Sequence, residues 1–139
     1  KKLTDLNNEE KNILKSTILF EFGSQYKKRI EEWLYSRLGT NKTIAHTRTY
    51  EVALSMVEEG LGIAVVPALA ALIGNKKSYE VNLYNTNLPG RRLVALIPGQ
   101  YSRIEPYASF VKCLEESGKR MGMPHALPVP PILETLKVN

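Results

Sequence analysis

The chain has 139 residues, 43% hydrophobic and 24% charged, the composition of a globular domain rather than of a disordered or collagen-like chain. Nineteen Lys and Arg against 14 Asp and Glu give a formal net charge of +5, but the cations are scattered. The densest run, Lys27-Lys28-Arg29, shares its helix with Glu31 and Glu32 and reads as a solvated face, not a nucleic-acid stripe. No apolar run approaches the about 20 residues of a membrane helix. Residues 1–15 lack the apolar segment of a signal peptide. The lone Cys113 excludes an internal disulfide and suits a reducing compartment.

The chain does not open on Met, and its first residues read as the middle of something, so a fragment or processed piece is expected. Thr4-Asp5-Leu6-Asn7-Asn8 reads as a turn or a single helical turn. Thr17-Ile18-Leu19-Phe20 is a short apolar strand, followed by the loop Glu21-Phe22-Gly23-Ser24. Ser24 suits the N-cap of a helix over 25–38, in which Tyr26, Ile30, Trp33, Leu34 and Leu38 form one apolar stripe. Gly39 stops it. Trp33 belongs either to the core or to a subunit contact. Residues 43–47 are β-prone and form the second strand. Thr47-Arg48-Thr49 leads into a second helix, 50–59, with Thr47 or Thr49 as cap and Tyr50, Ala53, Leu54 and Val57 turned inward.

The stretch from Gly60 to Pro67 organises the chain. Gly60 ends the helix in a left-handed turn. Gly62 opens the next strand where a side chain would collide with neighbours. Ile63-Ala64-Val65-Val66 is continuously apolar, as in a central strand buried on both faces, and Pro67 ends it. A short apolar helix is expected over 68–73. Residues 79–84 alternate like a half-exposed or edge strand, and 91–97 read as a further strand. Pro106 opens a last helix over 107–121, with Tyr107, Phe110, Val111 and Leu114 on its inner face. The tail, 122–139, holds Pro124, Pro128, Pro130 and Pro131 and either lies extended over a surface or is disordered. The alternation predicts an α/β fold, a mostly parallel sheet flanked by helices.

In such folds ligands bind beyond the carboxyl ends of the strands. Two strand-to-helix loops qualify. One holds Phe22, Gly23, Ser24, Gln25 and Tyr26, and the other holds Thr47 and Thr49. Helix N-termini there favour an anion, especially a carboxylate. The hydroxyls have a second reading as helix caps. Phe22 and Tyr26 offer apolar surface to a ligand body, and Gly23 allows close approach. Enzyme signatures are missing. His46 and His125 have no Cys, Asp or Glu at ligand spacing, so no metal site is expected. Cys113 reads as a packed thiol. Ser24 does not complete a G-x-S-x-G elbow, and neither a P-loop nor a dinucleotide fingerprint is present. No catalysis and no cofactor are expected.

Four segments resemble the effector-binding domain of LysR-type transcriptional regulators. They are Ile18-Leu19-Phe20-Glu21-Phe22-Gly23-Ser24 with its helix ending in Trp33-Leu34, the run from Ala53 to Pro67, Arg91-Arg92-Leu93-Val94-Ala95-Leu96 after a turn, and the last helix with Ala108, Phe110 and Val111. The run from Ala53 is the most specific. The resemblance implies a periplasmic-binding-protein-like (type 2) subdomain. Residues 1–90 would be the second subdomain, 91–121 a strand and helix returning to the first, and 122–139 a proline-rich tail. It implies a cytoplasmic, non-enzymatic sensor that binds a small anionic metabolite and forms dimers or tetramers. It would act on promoter DNA through a helix-turn-helix not in this sequence. The returning strand would lack its usual partners, and helix 25–38 is the expected subunit contact. An extracytoplasmic solute-binding receptor of the same fold is the alternative. A transferase of the same fold would need a general base near the cleft, where only Glu21 and Glu51 stand at the margins.

Overall fold

The computed structural model describes residues 5–21, 23–71, 79–90, 94–130 and 133. The element order is α1 (Asn8–Lys15), β1 (Ser16–Phe20), α2 (Ser24–Leu38), β2 (Lys42–Thr47), α3 (Tyr50–Glu58), β3 (Ile63–Ala64) and α4 (Tyr107–Arg120), with short 3-10 turns at Ala68–Ala71 and Gly99–Tyr101. The three strands form one parallel sheet in the order β2-β1-β3. The fold is therefore α/β, as the alternation predicts.

β1 is the central strand. Thr17, Ile18, Leu19 and Phe20 are all buried, because helices cover both faces of the sheet. Leu19 packs with Ile30, Leu34 and Leu38 of α2. Ile18 and Phe20 alternate to the opposite face, where α3 buries Ala53 and Leu54. Each fully buried Leu or Ile of this kind contributes roughly 1.5–3 kcal/mol.

The Gly60 turn forms as the sequence requires. Gly60 adopts φ 73°. Its N–H donates to the Val57 carbonyl, and the Leu61 N–H donates to the Met56 carbonyl, the paired bonds of a Schellman cap. Gly62 lies so close to β1 that a Cβ would stand 2.4 Å from the Ser16 carbonyl oxygen.

The sequence reading differs from the structure at several places, among them Cys113, read as a packed thiol and found exposed. β3 is an edge strand of two residues, half-buried, rather than the buried centre. An apolar run says that a strand is covered, but its place in the sheet is set by distant pairing. α1 is a full helix, closed by a capping box in which the Asn7 side chain accepts from the Glu10 N–H and Glu10 accepts from the Asn7 N–H. Residues 79–84 form no strand beyond a single bridge, Tyr84 to Leu127. Residues 94–97 pair with nothing in a ladder among the described residues, and 91–93 lie outside them, as do 72–73 of the expected short helix. α4 buries none of its residues, and Tyr107, Phe110 and Leu114 stand exposed.

The described part of the tail packs back against α2. Val129 and Leu133 join the α2 core cluster. Trp33 is half-buried against the same cluster, and its indole N–H donates to the Thr86 carbonyl at 3.0 Å. This is the core packing read for it from the sequence, in partly buried form.

Candidate functional site

The site is built by the β1–β2 register. Phe20 stands opposite Thr47, and the Glu21 N–H donates to the Thr47 carbonyl at 3.0 Å. The two loops that follow, one entering α2 and the other α3, therefore leave the sheet side by side at its carboxyl edge. The Phe20 and Tyr50 rings lock the second turn down, with centroids 3.9 Å apart and planes tilted by 34°. Across the same edge, His46 Nδ1 lies 3.0 Å from a carboxylate oxygen of Glu21.

The two helix starts differ in how their own residues treat them. α2 begins at Gly23, whose φ of 73° admits Gly far more readily than other residues. Among the described residues no side chain caps this helix, and its first turn carries no acidic residue. Its positive end is left for another group to meet. α3 begins at Thr49, whose hydroxyl accepts from the Val52 N–H at a long 3.5 Å, and its first turn carries Glu51. Between them lies Thr47, only 6% exposed, whose hydroxyl oxygen is buried without a hydrogen-bond partner. An unpaired buried hydroxyl costs on the order of 1–3 kcal/mol, so it marks a place where a partner would be welcome.

The structure thus brings Gly23, Ser24, Gln25, Thr47 and Thr49 to one edge of the sheet. Phe22 lies outside the described residues. Thr49 caps α3, one of the two caps the sequence offers. Ser24, read from the sequence as the cap, is instead the first residue of α2. It sits in the first helical turn, and Gly23 takes the cap position because the chain needs a positive φ there. A Cβ on Gly23 would meet no atom of the described residues beyond its chain neighbours within 4 Å, so its conformation calls for glycine. Tyr26 turns partly inward against the Leu19–Ile30–Leu34 cluster. The His46–Glu21 pair escapes a reading of the sequence by local spacing, since only the register of two strands unites it.

Among the described residues no group of three or more His, Cys, Asp or Glu could hold a metal ion. A shallow depression of about 300 Å³ runs along α3, lined by Val52, Ser55, Met56 and Leu61 with Glu51 and Glu59 at its rim. None of the candidate residues lines it.

The family model for the LysR substrate binding domain matches residues 15–119. This chain belongs to that family. The match runs from the end of α1 into α4 and contains both loops of the site. No curated protein and no solved structure matches the chain. Domains of this family are regulatory, bind small-molecule effectors and are not enzymes. Among the described residues, no helix is long and apolar enough to cross a membrane.

Proposed function

We propose that this chain is the second effector-binding subdomain, residues 1–90, of a LysR-type regulator, with 91–121 returning to a first subdomain. On this reading it senses a small anionic metabolite in the cytoplasm and controls DNA binding by a helix-turn-helix elsewhere in the regulator. The ligand's anionic group sits where α2 and α3 begin, held by Gly23, Ser24, Gln25, Thr47 and Thr49. The observation that carries this reading is the conjunction of an uncapped, acid-free helix start with the buried, unpartnered Thr47 hydroxyl beside it. Ligand binding shifts the population of regulator states only as far as its affinities for those states differ.

The exposed stripe Tyr107, Phe110 and Leu114 of α4 supports the domain boundary, because such a face fits against a first subdomain. Self-association runs through the outward side of α2, where Tyr35 is 71% exposed. Trp33, on the same helix, donates to the Thr86 carbonyl.

Titration of the chain with sulfate and with small mono- and dicarboxylates, followed by amide NMR, tests the site. Saturable shifts at residues 23–25 and 47–50, with Kd on the order of millimolar for half a cleft, are expected. Shifts scattered over the lysine-bearing surface and absent from both loops would refute it.

A further inference from the structure

The family match ends at residue 119, yet the chain beyond it is built into the core. Val129 and Leu133 are each only 9% exposed, in one cluster with Ile30, Leu34 and Leu38. Leu127 is clipped by two backbone bonds of 2.8 Å to the stretch below it: its N–H donates to the Leu83 carbonyl, and its carbonyl accepts from the Asn85 N–H. One turn apart on α2, Trp33 and Arg37 grip these two segments. Trp33 donates to the Thr86 carbonyl, and an Arg37 guanidinium nitrogen donates to the Leu133 carbonyl at 3.1 Å. Pro124, Pro128 and Pro130 bring no backbone donors, so the segment cannot extend its pairing into a full strand. The result is a single bridge with apolar side chains inserted beside it.

α4, which leads into this segment, buries nothing. The tail is therefore held by what it grips on α2 and on residues 83–86, not by the helix that delivers it.

We propose that residues 127–130, with Leu133, are a latch that fixes α2 against the sheet and so positions its N-terminal turn, Gly23 to Gln25. The functional unit of this chain then extends past the end of the family domain. Val129, Leu133 and Arg37 are positioning residues for the site, none of them in contact with a ligand. Only the consequence for ligand binding rests on the effector reading above. The latch itself does not.

The test uses the full chain with two variants, Val129→Ser and Arg37→Met, read without added ligand. Val129→Ser is expected to speed amide hydrogen exchange at Ile30, Leu34 and Leu38 by about tenfold or more while Ile18 and Leu19 of β1 keep their protection. It is also expected to shift the amide resonances of Gly23 and Gln25 and the emission of Trp33, the lone tryptophan. Arg37→Met should give the same pattern at smaller amplitude, and it decides the matter if Val129→Ser fails to fold. Unchanged exchange along α2, or equal acceleration in α2 and β1 in the folded variants, would overturn the latch. Sulfate titration of the unmodified chain separates the two claims. If it produces no shifts at the loops, the effector reading fails while the latch stands or falls on exchange alone.

Discussion

α2 and α4 are nearly the same length, 15 and 14 residues, and each carries an apolar stripe, yet they leave opposite things unsatisfied. α2 buries Ile30, Leu34 and Leu38 and starts with no side-chain cap among the described residues. α4 buries nothing, but its start is met by its own chain, since the Glu105 carboxylate accepts from the Ser109 N–H at 3.3 Å. What each helix lacks indicates what it meets. α2 lacks a negative group at its end, and α4 lacks an apolar surface along its side. An effector anion fits the first and a neighbouring subdomain fits the second.

That contrast can be broken by mutation. The largest effect is expected in the α2 face. Leu34→Ala removes a residue only 1% exposed and should cost about 2–5 kcal/mol in urea unfolding. The helix ends come next. Glu105→Ala should weaken the start of α4 by about 0.5–1 kcal/mol, visible as faster exchange in its first turn, because the helix loses both an acceptor and a favourable charge. The smallest effect is expected in the α4 face. Phe110→Ala, at a side chain 62% exposed, should change stability by less than about 0.5 kcal/mol in this chain. A loss comparable to that of Leu34→Ala would show that α4 packs on its own domain, and the comparison would fail.

The legible part of this fold was local. The order of strands and helices from β1 to β3 follows from periodicity and from the residues that punctuate it. Gly60 and Thr49 do what their chemistry requires. Gly62 does as well, under the Ser16 carbonyl. α1 was missed although local chemistry carries it: the Asn7-x-x-Glu10 capping box stands in a stretch read only as a turn. What else local reasoning missed depends on distant pairing. β3 reads as a central strand because its residues are apolar, yet β1 takes that place because both other strands register on it. Residues 79–84 alternate properly but find only Leu127 as a partner. Tyr107, Phe110 and Leu114 mark a face that needs covering and say nothing of whether this chain covers it. The site divides the same way. Both loops were visible as strand-to-helix junctions, whereas Gly23 as the cap rests on a backbone angle, and the orphan Thr47 hydroxyl and the Glu21–His46 pair appear only once the strands are packed and in register.

The central claim is that the open start of α2 receives an anion, and Ser24→Asp tests it most directly. An acidic residue in that first turn supplies from within what the ligand would bring from outside. Thermal unfolding and sulfate titration by NMR, run on the same variant, give the answer. Stability should rise by about 0.3–1 kcal/mol while the sulfate-induced shifts at Gly23 and Gln25 disappear. Sulfate shifts that persist undiminished in Ser24→Asp would contradict the account and move the anion, if one binds, away from this helix.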